Sequence, residues 1–361
     1  MSLIAHSDLP TFERLRAEGH DVLSVERAGQ QDIRELHIGF LNLMPDAALE
    51  ATERQFIRLI DASNRIVQFY VHPFTVHGLK REGRAAEHVK RHYSDFDDIR
   101  QEGLDALVIT GANPVQPDIT QEGFWTGMCD VIEWAREHVC STLMSCLASH
   151  AAFHRYHGVE RYRLPQKRWG VYAHRVVMRD HPLVSNINSR FDTPHSRVYQ
   201  TDSRPMSAAG LRVLVDSDEA GFLVATSPDG LRSVYVQGHP EYDRQSLLKE
   251  YKREVMRYAT GVYRDYPPLP QHFFNAQAER IVLDFRERLI DARQHDRPQP
   301  EFPEADIIKL LDNTWGDTGK ALFNNWLGLV YQLTDADRKR PFAPGVNPTD
   351  PLNLKKGVGG D

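Results

Sequence analysis

The sequence is short of every feature that would mark a secreted, membrane-spanning or nucleic-acid-binding chain. It holds three cysteines in 361 residues, Cys129, Cys140 and Cys146. Three cysteines do not make a disulfide framework, so a reducing compartment, the cytoplasm, is the expected location. No apolar run approaches the roughly 20 residues that cross a bilayer. The opening residues Met1 to Asp8 lack the basic-then-apolar pattern of a signal peptide. The formal charge is −6 and no long Lys/Arg run exists, which argues against binding a phosphate backbone. Gly-x-Gly-x-x-Gly and Walker A sequences are missing, so nucleotide phosphates are not held by those motifs. Despite 17 histidines there is no His-Glu-x-x-His and no Cys-x-x-Cys, and the spacing of Cys140 and Cys146 is wrong for a zinc knuckle. The expectation is an enzyme with no metal and no resident cofactor, and without nucleic-acid or membrane partners.

What remains is an ordinary soluble composition, 41% hydrophobic and 26% charged, on a chain long enough to bury a large core. An amphipathic helix is predicted at Leu9–Glu18. Leu36–Met44 is a nearly continuous apolar run, the pattern of a strand buried on both faces. Further strands are predicted at Arg65–Pro73, Leu104–Thr110 and Val139–Met144, separated by helical stretches at Ala47–Ala62, Leu79–Ser94 and Phe124–Arg136. This alternation predicts an α/β fold with a doubly wound, mostly parallel sheet flanked by helices. Shorter β-rich pieces follow at Val171–Met178, Leu211–Ser217, Gly221–Ser227 and Leu231–Gln237, then a helix at Gln245–Tyr258. The expected organisation is an N-terminal arm over 1–35, a catalytic α/β domain over 36–265, and a helical C-terminal extension over 266–361 packed on that domain.

Two stretches carry chemistry. Thr142-Leu-Met-Ser-Cys-Leu-Ala-Ser-His150 reads as a buried strand, a sharp turn at Ser145–Cys146 and a helix from Leu147. A cysteine at such a turn sits on the edge where α/β sheets bind ligands. The backbone N–H groups of the following helix favour its thiolate and can hold an oxyanion. Position alone does not make a cysteine catalytic, because most cysteines in apolar strands are small buried hydrophobes. The second stretch is Ser233-Val-Tyr-Val-Gln-Gly-His-Pro-Glu-Tyr-Asp243, where a strand runs into a turn holding His239 and Glu241. A thiol needs a base, and the base needs a carboxylate to fix its tautomer. Cys146, His239 and Glu241 are the candidate triad. Gly111-Ala-Asn-Pro114, after the third strand of the alternation, is a candidate second donor to the oxyanion.

These motifs, with Leu41-Asn-Leu-Met-Pro45, Thr110-Gly-Ala112, Leu164-Pro-Gln-Lys167, Pro194-His-Ser-Arg197 and the C-terminal Trp315–Leu327, resemble the homoserine O-acyltransferases of methionine biosynthesis, of the homoserine O-succinyltransferase type. The resemblance runs from about Leu9 to Thr334 and implies a class I glutamine-amidotransferase-like (flavodoxin-like) fold and a homodimer. It implies ping-pong transfer from an acyl-CoA to L-homoserine, with succinyl-CoA ahead of acetyl-CoA. Cys146 would be the nucleophile, His239 the base and Glu241 its orienter. By motif, Lys167 and Ser196 match substrate-site residues and Arg253 the arginine for the amino-acid carboxylate. The elbow departs from the family's usual Cys-Trp-Gly-Ala-Gln, so Leu147 and His150 become candidates for shaping the acyl pocket. Val115 stands near the position tied to acyl choice. Two other readings share the scaffold: an acetyl-CoA-dependent enzyme and a glutamine amidotransferase-like hydrolase, although the latter's elbow is typically Gly-x-Cys-x-Gly. A non-enzymatic descendant of the fold is argued against by the intact triad.

Overall fold

The computed structural model describes residues 3–31, 33–63 and 67–354. Twelve strands among these residues form one sheet. In chain order they are β1 (Leu3–Ala5), β2 (Val22–Ser24), β3 (Glu35–Leu41), β4 (Gln68–Thr75), β5 (Ser94–Asp95), β6 (Ala106–Ile109), β7 (Ser141–Ser145), β8 (Tyr162–Val176), β9 (Arg190–Gln200), β10 (Arg212–Asp216), β11 (Val224–Thr226) and β12 (Ser233–Val236). Their order across the sheet is β2-β1-β4-β3-β6-β7-β12-β11-β10-β8-β9, with β5 beside β4. From β2 to β12 every pairing is parallel. From β12 to β9 every pairing is antiparallel. The mostly parallel α/β sheet expected from the alternation is therefore present, with an antiparallel wing on one side.

The parallel strands are buried on both faces, which is why they read as unbroken apolar runs; Ala106, Leu107, Val108 and Ile109 of β6 are all fully buried. On one face, Leu49–Asp61 and the C-terminal helix Gly316–Leu333 pack through Phe56, Ile60, Phe323 and Trp326. On the other, Trp125–His138 contributes Met128, Val131 and Ile132. A third apolar cluster joins helix Ser246–Ala259 to the C-terminal helices through Leu248, Tyr251, Phe285 and Phe302. The chain leaves β3 for β4 on one side and returns to β6 on the other. That reversal opens a crevice at the carboxyl ends of the strands.

Several elements differ from the sequence reading. Residues 3–24, expected in an arm, supply β1 and β2, which extend the sheet beyond β4. Each strand is three residues long, too short for periodicity to register. The strand expected from Arg65 begins at Gln68, and positions 65 and 66 lie outside the described residues. β9 was not read as a strand, and β8 begins at Tyr162, nine residues before Val171. The first seven residues of β8 are exposed or half-buried, and β9 mixes Arg190, Asp192, His195 and Arg197 with its apolar residues, so neither shows as a continuous apolar run. The C-terminal region is stitched to the sheet at Gly170, whose amide neighbour Val171 donates to Gln271 O at 2.9 Å. Trp326 Nε1 adds a bond to Ser141 Oγ of β7 at 2.8 Å.

Gly170 has φ +148°, and a Cβ there would meet Gln271 backbone atoms at 2.1–2.8 Å. Gly170→Ala should therefore destabilise the protein by about 2–4 kcal/mol, combining overpacking with strain. Thermal or denaturant unfolding measures it; a change within experimental error would mean that the stitch is not a fixed contact.

Candidate active site

The parallel register of β7 against β12 sets Ser145 opposite Val236. The next residues, Cys146 and Gln237, are thus neighbours at the carboxyl edge. Cys146 N donates to Val236 O at 2.7 Å, and Gln237 Nε2 lies 3.7 Å from Cys146 Sγ. Cys146 has φ 49° and ψ −107°, a conformation an L-residue adopts only when its surroundings impose it. This is the strained strand-to-helix turn that lifts a nucleophile out of the sheet edge. Helix Leu147–Ala152 follows at once. Ala148, where the related elbows carry glycine, is fully buried in an ordinary helical position.

Gly111 at the end of β6 touches this turn: a Cβ on it would stand 3.1 Å from Cys146 Cβ. Its absence lets the Gly111–Ala112 peptide approach the sulfur. Thr110 Oγ1 fixes this crossing by accepting from Leu43 N at 2.8 Å and donating to Gly111 O at 2.9 Å. The first amides of a helix have no intrahelical acceptor, so those of Leu147 and Ala148 open toward the same side.

Two residues beyond Gln237, His239 N donates to Pro194 O of β9 at 2.8 Å. His239 Nδ1 meets Glu241 Oε1 at 2.8 Å, and Cys146 is close enough to act on the ring electrostatically. The structure thus brings Cys146, His239 and Glu241 into one relay. Burial alone would depress the His239 pKa; the Glu241 carboxylate and Cys146 outweigh it and raise the group to about 10. An imidazolium beside a thiol is the arrangement that supports a thiolate nucleophile. The other two cysteines are different: burial pushes Cys129 up to about 11 and Cys140 higher still.

A residue not singled out in the sequence organises the next layer. Glu250, on helix Ser246–Ala259, accepts from Ser196 Oγ at 2.6 Å, Lys167 Nζ at 3.2 Å and Tyr242 OH at 2.8 Å. Tyr242 stacks on His239 with ring centres 4.4 Å apart. Burial works against the Glu250 carboxylate, but Lys167, Ser196 and Tyr242 together hold its pKa below the usual value. Lys167 and Ser196 therefore belong to one cluster beside the triad. Arg253 lies one helical turn from Glu250, half-exposed, with Nε bonded to Glu254 Oε1 at 3.1 Å. Only the family resemblance points to Arg253; Glu250, three residues earlier, belongs to none of the motifs that carry it.

The residues named for acyl choice separate. Leu147 is buried in the core beneath the elbow, not on a pocket wall. Val115 is 77% exposed, because Glu122 Oε1 accepts the amides of Val115 and Gln116 and turns the loop outward. His150 is buried, with Nδ1 bonded to Thr201 Oγ1 at 2.9 Å. No group of three metal-ligating side chains occurs among the described residues.

Buried histidines ring this site and set its acid limit. Burial, aided by neighbouring arginines, lowers His150 to about 3 and His195 well below its ordinary value; burial chiefly lowers His174 to about 4. Such groups take up protons on unfolding, so their contribution is fully present above about pH 6.5 and is lost as pH falls toward 4 and below. His239, raised, works in the opposite sense and loses its contribution as pH rises through about 10. Melting temperature against pH should fall steeply below pH 6, with net proton uptake; a flat profile from 7 to 4 would contradict this burial.

A homoserine O-succinyltransferase family model matches residues 2–336. The homoserine O-succinyltransferase of Methylococcus capsulatus is 58% identical over 354 residues, 98% of this chain and 100% of that protein. That of Thiothrix nivea is 54% identical over 359 residues, covering 99% and 100%. Among solved structures, a glutamine amidotransferase from Methylobacillus flagellatus aligns over 82% of this chain and 95% of its own at 10% identity and a TM-score of 0.42, too loose to add to the topology above.

Alkylation at neutral pH should modify Cys146 and spare Cys129 and Cys140, because only the first is partly exposed and paired with a base. Peptide mass spectrometry after brief iodoacetamide treatment reads the outcome. Faster labelling of Cys129 or Cys140 would remove Cys146 as nucleophile.

Proposed function

The chain belongs to the homoserine O-succinyltransferase family, and from that premise we propose that it moves a succinyl group from succinyl-CoA to the hydroxyl of L-homoserine through a thioester on Cys146. The observation that carries this reading is the relay of Cys146, His239 and Glu241 at the carboxyl edge of β7 and β12.

Each step follows from the chemistry of that relay. The Cys146 thiolate attacks the thioester carbonyl, and the developing oxyanion is met by the amide of Leu147 and the peptide at Gly111–Ala112. As the tetrahedral intermediate collapses, the C–S bond to coenzyme A breaks and His239 gives its proton to the departing thiolate. His239 is then neutral. It takes the proton of the homoserine hydroxyl as that oxygen attacks the acyl-cysteine, and Cys146 leaves as thiolate. Glu241 holds the ring in one tautomer throughout and stabilises its charged form.

The acceptor is a zwitterion, and a carboxylate and a guanidinium one helical turn apart match its two ends. Glu250 is assigned to the ammonium, with Lys167, Ser196 and Tyr242 holding it in place. Arg253 is assigned to the carboxylate, which its planar fork can bind through two bonds. The reaction balances without a metal or a resident cofactor. A cytoplasmic homodimer completes the proposal; light scattering of the purified protein tests the second part.

His239→Asn should slow acyl-enzyme formation by roughly 10²–10⁴-fold, and Glu241→Gln by less, since it orients rather than transfers the proton. Intact-mass kinetics with succinyl-CoA alone measures both; a harmless Glu241→Gln would reduce the triad to a dyad. Arg253→Lys and Glu250→Gln should raise the KM for homoserine while leaving the first half-reaction near normal. Equal damage to both half-reactions would transfer these residues to the fold or the coenzyme A site.

A further inference from the structure

Around the elbow lies a second set of polar atoms that the triad does not use. His150 sits one turn after Cys146, its amide 3.5 Å from Cys146 O, and is 3% exposed. Its Nδ1 is engaged by Thr201, but Nε2 is buried without a partner. Arg161, just ahead of β8, lays its guanidinium on the Tyr199 ring at 3.9 Å and gives Nη2 to Pro117 O at 3.4 Å. Its Nη1 is also buried and unpartnered, as is Nε of Arg197. The other Arg197 nitrogens go to His195, Gln200 and the Ala220 carbonyl. The hydrogen-bonding partners of both guanidinium groups are thus uncharged.

These groups share one neighbourhood. Arg197, Tyr199 and Thr201 alternate along and just past the end of β9, so that Arg197 itself, the ring under Arg161 and the hydroxyl bonded to His150 lie on one side of the strand, and His150 N is joined to Cys146 O at the elbow. The charge of Cys146 is also felt at Arg161 and Arg197, after the larger effect of burial. The nearby acids are Glu122, already consumed by the amides of Val115 and Gln116, and Asp118, which caps Thr120. Buried donors without acceptors are costly, and these three, gathered along one side of β9 next to the elbow, suit an acceptor of matching charge.

We propose that Arg161 and His150, with Arg197 behind them, form the subsite that receives the distal carboxylate of the acyl group carried on Cys146. This rests on the succinyl-transfer reading and names the groups that would make it selective. A succinyl chain places its carboxylate two methylenes beyond the reacting carbonyl, and burying it unpaired would be prohibitive. A neutral histidine whose Nδ1 accepts from the Thr201 hydroxyl presents Nε2–H as a donor. Arg161 supplies the charge, and its stacking on Tyr199 holds the planar group in place. An acetyl group reaches none of these atoms, so the subsite distinguishes donors by what lies past the thioester.

The test compares succinyl-CoA and acetyl-CoA in the full-length protein. Arg161→Gln should lower the succinyl-to-acetyl ratio of kcat/KM by about 10- to 100-fold, the loss of a charge-assisted hydrogen bond. Arg161→Lys should recover part of it, and the KM for homoserine should not move. An unchanged ratio, with both donors falling together, overturns the assignment. A second measurement needs only the wild type: succinate, but not acetate, should protect Cys146 from alkylation. Equal effects of the two anions would also overturn it. A wild type that forms no succinyl adduct at all would instead remove the function proposed above, so the two failures are distinguishable.

Discussion

The whole site depends on one parallel pairing, β7 against β12 with Ser145 beside Val236. Sliding that register by one residue would turn every side chain of β12 to the other face and carry the Gly-His-Pro-Glu turn away from the elbow. The register is held by burial on both faces: Leu143, Met144, Val234, Tyr235 and Val236 are each about 1% exposed. The C-terminal helix adds a directional constraint, because the Trp326 indole bonds Ser141, whose hydroxyl bonds Leu231 O at the foot of β12. A region distant in sequence thereby fixes where the nucleophile and its base meet.

The antiparallel wing has a different task. β9 passes beside the end of β12, and Pro194 O takes the His239 amide while Ser196, two residues on, reaches Glu250. A Cβ on Gly238 would stand 2.9 Å from His195 Nε2, so glycine there lets the catalytic turn lie directly on β9. The His174–His195–Arg197 chain under this contact is buried, with His195 Nε2 and His174 Nε2 3.0 Å apart. Neutral imidazoles are the form in which such a chain can be buried beside an arginine. Ser196 and His239 are thus both positioned by β9.

Much of this was legible because the informative residues sit where local pattern and chemistry coincide. Apolar runs mark β3, β6, β7 and β12, and residues within three positions of the ends of the last three, Gly111, Cys146 and His239, are those that converge. The Cys-to-His-x-Glu reasoning needed only strand ends and residue types. Glu250 escaped because a carboxylate on an amphipathic helix looks like any solvated face until Ser196 and Tyr242, from other elements, are seen to bond it. β1, β2 and β9 escaped for a related reason: their strand character comes from neighbours, not from length or hydrophobicity. Val115 is expected near the position tied to acyl choice, yet Glu122, seven residues on, turns its loop toward solvent.

The divergent elbow then takes on a physical meaning. Leu147 and His150 part company: the leucine joins the core, and the histidine keeps a buried ring nitrogen, Nε2, without a hydrogen-bond partner. A core leucine fills volume without polar demand. A buried ring nitrogen without a partner carries a desolvation cost that an apolar side chain of similar size would avoid. Arg161 and Arg197 compound that cost by each burying a free N–H of their own. Such nitrogens cost the fold stability and gain a use where an anion is bound. The elbow thus divides two tasks, with shape left to the core and recognition to charge.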